Sequence, residues 1–376
     1  MKIAIDARAL GWEGIGRYTR NLLLNLAGLN NSHRYIALIS KENADVFSAL
    51  QKHLPKGKVA GFQVDGSYYS WREQVVLPWQ LMNVKADLFH FTHFNVPLLF
   101  RKPYVVTIHD CTRFNFPGQQ RQGLFQQVAY EAVFASACAR AEGIITVSKS
   151  TREELSRLPI KIKKGVSVIY EGVEDVFQQE VDASVMEKLR MLIGTDQKYI
   201  LYVGVWMSHK NIERLIKAFA VAMRRVPDLK LVITGKPKRG YIAVSRAVHE
   251  YGLRDHVIFP GFVPDYLMPA LYQRAVCLVF PSLYEGFGLP ALEALASGAP
   301  VVASNVTSLP EILGSSAVFV NPENVDSIAG GIEKLLTDDA LSRKLVAKGR
   351  EQAKKFSWET CAQEHVRVYE RSIRGK

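Results

Sequence analysis

Strand and helix patterns alternate along almost all of this 376-residue chain, and that alternation limits its fold more than any other feature. Apolar runs of strand length are separated by longer segments in which apolar residues recur at helical spacing. Chains of this kind form parallel sheets with helices on both faces, and they bind ligands at the carboxyl ends of the strands. The sequence therefore predicts an α/β protein built from doubly wound sheets.

The first series of elements fills the amino-terminal half of the chain. Its predicted strands are residues 2–6, 35–40, 58–62, 88–91, 104–109, 143–147 and 166–169. Its predicted helices are residues 17–29, 71–82, 124–141 and 149–158. The pattern weakens between Tyr170 and Lys198, where one helix is expected at 182–192. We therefore predict a first domain over residues 1–175 and a second over residues 176–357.

The second series begins after Lys198. Its predicted strands are residues 199–203, 229–234, 257–259, 276–280, 301–303 and 317–320. Its predicted helices are residues 211–226, 241–251, 265–274 and 290–296. From Asp338 onwards the pattern is helical, and Phe356-Ser357-Trp358 interrupts it, with Ser357 as the N-cap of a last helix. Such a break allows the last helix to leave its own domain.

The strongest chemical signal lies in the turn that follows the predicted strand 276–280. Two glycines interrupt the chain there, and Pro290 stands where a helix begins. The N–H groups and the positive dipole end of that helix favour an anion. Glu285 in the turn and Glu293 inside the helix are suited to hydroxyl groups. A phosphate attached to a sugar would use both features.

Three other strand ends carry candidate binding residues. Gly14 and Gly16 precede a helix, where they allow close approach of a phosphate or, equally well, a tight turn that packs the helix. His109 and Asp110 end a predicted strand, so that His109 reaches a ligand or is bonded to a neighbouring loop with Asp110 as its cap. Lys210 precedes a helix, where it neutralises a diphosphate or is simply solvated.

Composition narrows the class of protein. A hydrophobic content of 48% and a charged content of 22% are those of a globular chain, and no apolar run is long enough to span a bilayer. The first strand meets an acid at Asp6, which is not the pattern of a signal peptide. Four widely spaced cysteines fit a reducing cytosol. No Asp-x-Asp motif or metal-type spacing occurs, so we expect no metal site.

A formal net charge of +12 favours anionic partners. The basic clusters at residues 161–164, 224–225 and 236–239 are most simply read as solvated faces. Nucleic-acid binding is a weak alternative, because no stripe of aromatic residues accompanies the basic ones. Contact with an anionic membrane surface is a further alternative for the aromatic segment 68–79 together with the cluster 161–164. Burial in the core is the expected place for those aromatic residues.

The residues together resemble the retaining glycosyltransferases of family 4, which have the GT-B fold. Glu285 and Glu293, with seven residues between them, match the E-x7-E signature of that family. Further matching segments are Gly14-Ile15-Gly16, Thr107-Ile108-His109-Asp110, Val147-Ser148-Lys149-Ser150, Val168-Ile169-Tyr170-Glu171-Gly172-Val173, Lys210-Asn211 and Gly298-Ala299-Pro300-Val301-Val302-Ala303-Ser304. The amino-terminal loop looks most like bacterial mannosyl- and rhamnosyltransferases of polysaccharide or O-antigen synthesis.

The resemblance implies two Rossmann-like domains that face a cleft, and a last helix (358–376) that crosses back to the first domain. It implies a sugar-nucleotide donor, with GDP-mannose as the expected one, and a saccharide or lipid-linked acceptor. It implies no requirement for a metal. Glu285 would bind the donor sugar, Glu293 the ribose, His109 the sugar near the reacting carbon, and Asp110 would face the acceptor. The implied donor-binding residues are Gly14, Gly16, His209, Lys210, Val263, Gly286, Phe287, Gly288 and Leu289.

One departure from the family pattern concerns the diphosphate. Members commonly pair the lysine with an arginine, whereas this chain has Val205 and His209 at the two positions concerned. A histidine does not replace the permanently charged fork of an arginine. Donors with other bases, and a sugar-nucleotide epimerase of the same fold, therefore stay open as alternatives.

Overall fold

The computed structural model describes residues 1–116, 124–236 and 242–374. Within these ranges the chain divides into two compact units. The first contains the described residues of Met1–Cys111, Gln120–Gly172 and Ser357–Lys376, and the second those of Thr112–Gln119 and Val173–Phe356. The basic cluster 236–239 and the start of the predicted helix 241–251 lie partly outside the described residues.

The first unit contains a parallel sheet of seven strands in the order β3-β2-β1-β4-β5-β6-β7. The strands are β1 Lys2–Asp6, β2 Arg34–Ser40, β3 Val59–Val64, β4 Leu88–Phe91, β5 Tyr104–Ile108, β6 Gly143–Thr146 and β7 Val166–Val168. Every residue of β4 and β5 is buried, as expected for central strands covered on both faces. The strand order reverses between β1 and β4, which makes that pair the switch point of the sheet.

The second unit contains a parallel sheet of six strands in the order β10-β9-β8-β11-β12-β13. The strands are β8 Tyr199–Val203, β9 Lys230–Thr234, β10 Val257–Ile258, β11 Cys277–Phe280, β12 Val301–Ser304 and β13 Val318–Val320. Here the order reverses between β8 and β11. Two doubly wound sheets are what the alternation of elements predicted, so the α/β fold class is confirmed.

Helices cover the sheets and connect their strands. They are α1 Gly14–Gly28, α2 Ala44–Gln51, α3 Trp71–Met82, α4 Thr112–Asn115, α5 Leu124–Arg140, α6 Lys149–Arg157, α7 Ala183–Ile193, α8 Ile212–Ala222, α9 Ala243–Glu250, α10 Met268–Arg274, α11 Leu289–Ser297, α12 Leu309–Leu313, α13 Val325–Thr337, α14 Asp339–Ala353 and α15 Trp358–Arg374. The last of these packs on α1 within the first unit.

Local chemistry sets several of these boundaries. Asp182 caps α7 by accepting hydrogen bonds from the N–H groups of Ser184 and Val185 at 2.8 and 3.1 Å. Gly194 ends the same helix in the left-handed conformation. Ser70 caps α3 by accepting from the N–H of Glu73 at 3.2 Å. Caps of this type explain why these helices begin where the sequence pattern places them.

The expectation that the aromatic residues of segment 68–79 lie in the core is wrong for three of them. Tyr69, Trp71 and Trp79 are 59%, 69% and 72% exposed. The buried positions of α3 are Glu73, Leu77, Pro78 and Leu81, and helical spacing turns the two tryptophans away from that face. The structure also contains helices that the apolar pattern did not indicate, namely α2, α4, α12 and α13.

Candidate active site

The switch point of the second sheet brings together the two strand ends that the sequence singled out. The loop after β8 carries Lys210, and the turn after β11 carries Glu285. In open parallel sheets the crevice between two such strands is the usual place for a ligand. The structure therefore places the predicted lysine and the predicted turn carboxylate at the same edge of the sheet, after two neighbouring parallel strands.

The turn between β11 and α11 is held by the segment that follows β12. The Ser308 hydroxyl lies 3.0 Å from the carbonyl oxygens of both Glu285 and Phe287, and the N–H of Glu285 donates to Thr307 Oγ1 at 3.2 Å. Gly288 precedes α11 with φ of 103°, a conformation that side chains rarely adopt. These contacts fix the backbone of the turn that carries Glu285 and leads into α11.

The loop that carries Lys210 is fixed by its neighbours in sequence. The carbonyl of His209 accepts a hydrogen bond from the N–H of Leu283 at 2.7 Å, which joins this loop to the turn after β11. Asn211 donates from Nδ2 to the carbonyl oxygens of Pro281 and Pro322, at 2.9 and 2.7 Å. Its backbone has φ of 62°, a strained value for a residue with a side chain. The lysine is therefore anchored on both sides.

Lys210 and Glu285 form an ion pair at the centre of this arrangement. The ammonium lies 2.7 and 2.8 Å from the two carboxylate oxygens, and the side chains are 19% and 9% exposed. A pair so far removed from water is stronger than a surface pair. An anion alone would have to compete with Glu285 for the lysine. A ligand with both a phosphate and hydroxyl groups would satisfy both partners.

Glu293 lies deeper, one turn inside α11, and is 1% exposed. The hydroxyl of Tyr272 in α10 donates to its Oε2 at 2.8 Å, which sets the direction of the carboxylate. Phe287 and Val263 are buried, and Val263 lies in the loop after β10. Gly286 precedes Phe287 and Gly288 in the turn, and Leu289 is the first residue of α11.

In the first unit, the His109 side chain is held from two sides. Nδ1 lies 3.2 Å from Oε1 of Glu171, and Nε2 lies 3.0 Å from the carbonyl oxygen of Thr92. The ring also meets Tyr18 edge-on, with 4.6 Å between ring centres. Because both ring nitrogens face acceptor oxygens, the arrangement favours a positioning role over proton transfer. Asp110, the next residue, is exposed.

The two glycines of the amino-terminal loop differ in their surroundings. Gly14 begins α1, and a Cβ atom there would meet open space. Gly16 is buried, and a Cβ atom there would lie 2.6 Å from the carbonyl oxygen of Leu10 and 2.9 Å from that of Ala9. Gly16 is thus needed for the close packing of α1 on the preceding loop, whatever else it contacts.

A buried hydrogen-bond network connects the last helix to the sheet of the first unit. Tyr369 meets His90 Nδ1 at 2.7 Å, and His90 Nε2 lies 2.8 Å from Thr107 Oγ1. Thr107 Oγ1 lies 2.9 Å from the Tyr18 hydroxyl, which lies 2.6 Å from His365 Nε2. Tyr18 also contacts His109, so the network extends from α15 to the end of β5.

Sequence reasoning missed the residues that support the site. Glu171 belongs to a segment that matches the family, and an acid after strand β7 is a signal of the same kind as His109 after β5. Thr307, Ser308 and Tyr272 carry no such signal, because their contacts join segments distant in the chain. Among the described residues, no group of three or more His, Cys, Asp or Glu side chains is arranged to hold a metal ion.

Two family descriptions match the chain. Residues 12–176 match Glycosyltransferase Family 4, and residues 188–352 match Glycosyl transferases group 1. The chain is 34% identical over 295 residues to the O-antigen chain mannosyltransferase B of Escherichia coli, which covers 77% of this chain and 76% of that protein. It is 36% identical over 290 residues to an uncharacterized glycosyltransferase of Methanocaldococcus jannaschii, with 74% and 72% covered.

Solved structures show the same architecture. The sucrose-phosphate synthase of Thermosynechococcus elongatus aligns over the full length of both chains with a TM-score of 0.79 and 22% sequence identity. At that identity the likeness concerns the fold alone.

Proposed function

The chain belongs to glycosyltransferase family 4, and on that premise we propose that it transfers mannose from GDP-mannose to a saccharide or lipid-linked saccharide acceptor. The transfer would retain the configuration of the sugar, and the product would be a cell-surface polysaccharide such as O-antigen. Support for mannose comes from the name of the Escherichia coli relative. A donor with another nucleotide base is the second candidate, because Val205 and His209 replace the arginine common in the family.

The observation that carries the proposal is the Lys210–Glu285 pair at the switch point of the second sheet, in which Glu285 belongs to the turn that leads into α11. A sugar diphosphate offers an anion to the lysine and hydroxyl donors to the carboxylate. It would exchange one ion pair for two sets of charge-assisted hydrogen bonds. Pro290 has no N–H, and the N–H groups of Ala291 and Leu292 donate to the carbonyl of Gly288 at 3.0 and 3.3 Å. The phosphate oxygens would therefore meet the N–H of Leu289 and the positive dipole end of α11.

The proposed mechanism needs little covalent chemistry from the protein. Charge builds on the β-phosphate as the glycosidic bond breaks, and stabilising it is the main catalytic task. Lys210 and the helix dipole of α11 supply that stabilisation, while Glu285 orients the sugar and Glu293 the ribose. The departing phosphate then takes the proton of the attacking acceptor hydroxyl on the same face of the sugar. No enzymic nucleophile is required for retention in this scheme.

A panel of sugar nucleotides tests the donor. Thermal unfolding is followed with GDP-mannose, UDP-glucose, ADP-glucose and dTDP-rhamnose, each over a range of concentrations. A ligand that binds only the folded protein stabilises it by about 2.7 kcal/mol at one hundred times its Kd. We expect GDP-mannose to give the largest rise in Tm. A larger rise with another donor would refute GDP-mannose and leave the transferase assignment intact.

Two substitutions test the site. We expect Glu285→Gln and Lys210→Met each to lower kcat by roughly 100- to 1,000-fold, the loss typical when one stabilising group is removed. The matched control is Lys354→Met, because Lys354 forms an exposed ion pair with Glu351 at 2.7 Å in the same unit. Near-normal transfer by Glu285→Gln would show that the site is wrongly assigned. Product analysis with and without acceptor separates transfer from epimerisation.

We also propose peripheral contact with an anionic membrane at the cytoplasmic side. Four large side chains of α3 form an exposed stripe at spacings of four, four and three residues, namely Trp71, Val75, Trp79 and Met82, exposed by 69, 58, 72 and 59%. The N–H of Leu98 donates to Gln74 of α3 at 2.9 Å, which brings exposed Leu98 and Leu99 to the same helix. Tryptophan on such a face is typical of interfacial helices. In the described residues no helix is both long and apolar enough to cross a bilayer.

Vesicle pelleting tests this contact. The protein is mixed with vesicles of phosphatidylglycerol and phosphatidylcholine, or of phosphatidylcholine alone. We expect binding to the anionic vesicles, a loss of most of it in the double variant Trp71→Ser/Trp79→Ser, and no loss in Phe262→Ser, which changes an aromatic residue 67% exposed in the other unit. Equal pelleting of the double variant and the wild type would exclude α3 as the membrane-binding surface.

A further inference from the structure

A cluster of aromatic side chains lies at the switch point of the first sheet. Trp12 follows β1, His93 follows β4, and Tyr68 and Tyr69 lie between β3 and α3. The ring centre of Tyr68 is 4.8 Å from that of Trp12 and 5.5 Å from that of His93. We name these four residues the aromatic platform. It occupies in the first sheet the position that Lys210 and Glu285 occupy in the second.

The platform rests on a buried ion cluster. Arg8 is paired with Asp6 at 2.7 Å and with Glu73 at 2.9 Å. Its guanidinium lies 4.2 Å from the ring centre of Tyr68, whose hydroxyl donates to Oδ2 of Asp6 at 3.1 Å. Side chains held in this way have little freedom to lose when a ligand binds. The cluster therefore gives Tyr68 a fixed orientation.

Two members of the platform, Trp12 and Tyr69, present their rings to solvent. Trp12 is 40% and Tyr69 is 59% exposed. Tyr69 has φ of 65°, a value that costs a residue with a side chain of order 1 kcal/mol, and its N–H is held by Oε2 of Glu73 at 2.8 Å. Strain of this kind concentrates at binding sites. A glycine would adopt the same conformation without it.

The balance of charges in the ion cluster beneath the platform favours a neutral ligand over an anionic one. One guanidinium faces two carboxylates, so the cluster does not favour an anion such as a phosphate. Asn95 donates to Glu73 at 3.3 Å, and its buried Oδ1 has no hydrogen-bond partner within the described part of the chain. Aromatic faces suit the C–H face of a pyranose ring, and an unsatisfied acceptor suits a hydroxyl group.

We propose that the aromatic platform binds a neutral pyranose ring of the acceptor saccharide, with Trp12 and Tyr69 in contact with the sugar. This inference rests on the proposed function, since it assigns the acceptor of that reaction to named residues. It places acceptor recognition two residues from Trp71, the start of the exposed stripe of α3. A lipid-linked saccharide would then meet the platform while its lipid stays in the membrane.

Saturation-transfer NMR tests the platform without a donor and without turnover. The probes are the methyl glycosides of α-mannose, β-glucose, β-galactose and β-N-acetylglucosamine at millimolar concentration, which carry no lipid chain. We expect transfer to the ring protons of at least one glycoside, and a loss of at least tenfold in Trp12→Ala and Tyr69→Gly. Trp79→Ala is the control, because Trp79 is an exposed aromatic residue of the same unit that lies outside the platform.

The Tyr69→Gly variant separates binding from folding. Removing the strain is expected to leave Tm unchanged or raised, while the sugar signal falls. Unchanged binding in Tyr69→Gly, or no binding of any of the four glycosides to the wild type, would overturn the proposal. Binding without transfer from any donor would instead contradict the proposed function and leave the platform standing.

Discussion

Two fully buried histidines of the first unit, His90 and His365, make its stability depend on pH. His90 and His365 are 1% and 0% exposed, and their ring centres are 5.4 Å apart. Burial lowers the pKa of His365 to about 4, an effect that the nearby charge of His109 reinforces and a hydrogen bond to the Cys361 carbonyl opposes. Burial, together with His365 and His109, holds the pKa of His90 well below its ordinary value. Both rings are therefore neutral in the folded protein at neutral pH.

The sign of the effect follows from these directions. Because the folded-state pKa lies below that of an unfolded histidine, ordinarily about 6.5, the unfolded chain binds more protons between these values. The contribution to stability is complete above about pH 6.5, falls as the pH drops, and levels off below about pH 4. For His365 alone, the free energy of unfolding is expected to fall by roughly 2 to 3 kcal/mol between pH 7.5 and 4.5.

Urea unfolding at several pH values measures this dependence. Four of the five tryptophans, Trp12, Trp71, Trp79 and Trp358, lie in the first unit, so a Trp206→Phe background makes fluorescence report that unit alone. We expect His365→Gln to reduce the loss of stability between pH 7.5 and 4.5 by about 2 kcal/mol. The control is His53→Gln, which changes an exposed histidine of the same unit. An unaltered pH dependence in His365→Gln, or an equal change in His53→Gln, would refute the reasoning.

Two further substitutions test the packing of the sites. Gly16→Ala puts a methyl group 2.6 Å from a carbonyl oxygen. It is expected to destabilise the first unit by about 1–3 kcal/mol in urea unfolding. Gly14→Ala is the control, because a methyl group there meets open space in the same helix and should leave the stability unchanged. Tyr272→Phe removes a donor to the buried Glu293 and is expected to cost about 1.5–3 kcal/mol and to raise the donor KM. Tyr199→Phe is its control, since that hydroxyl bonds a neutral carbonyl, and an equal cost and KM in both variants would contradict a role for Glu293 in donor binding.

Elements with a strong local pattern could be predicted from the sequence. Strands such as β4 and β8 have the bounds that their apolar runs indicated, and α3 spans the predicted residues. Helix α13 was missed because Gly330 and Gly331 lower its helix propensity, although Asn324 caps it by accepting from the N–H of Ser327 at 2.9 Å. Burial of its apolar side chains in the second unit outweighs that propensity.

In the candidate site too, features with a local sequence signal could be predicted and contacts between distant residues could not. The turn with Glu285 and the loop with Lys210 carry local signals, namely glycines, a proline and a strand end, and both could be located from the sequence. The ion pair between them could not, because it joins residues 75 apart in the chain. The exposure of Trp71 and Trp79 was equally hidden, since an apolar helix face has the same spacing whether it meets a core or a membrane.

The replacement of the usual arginine acquires a physical meaning in the structure. His209 is 5% exposed, and its carbonyl accepts from the N–H of Leu283, so this residue joins the loop to the turn after β11. Arg214 donates from Nη1 to Oδ1 of Asn211 at 2.9 Å, which makes it a support for the loop rather than a ready clamp. Stabilisation of the negative charge of a bound diphosphate would therefore come mainly from Lys210 and the positive dipole end of α11. It follows that Lys210→Met should impair this protein more than the same change impairs a family member that keeps the arginine.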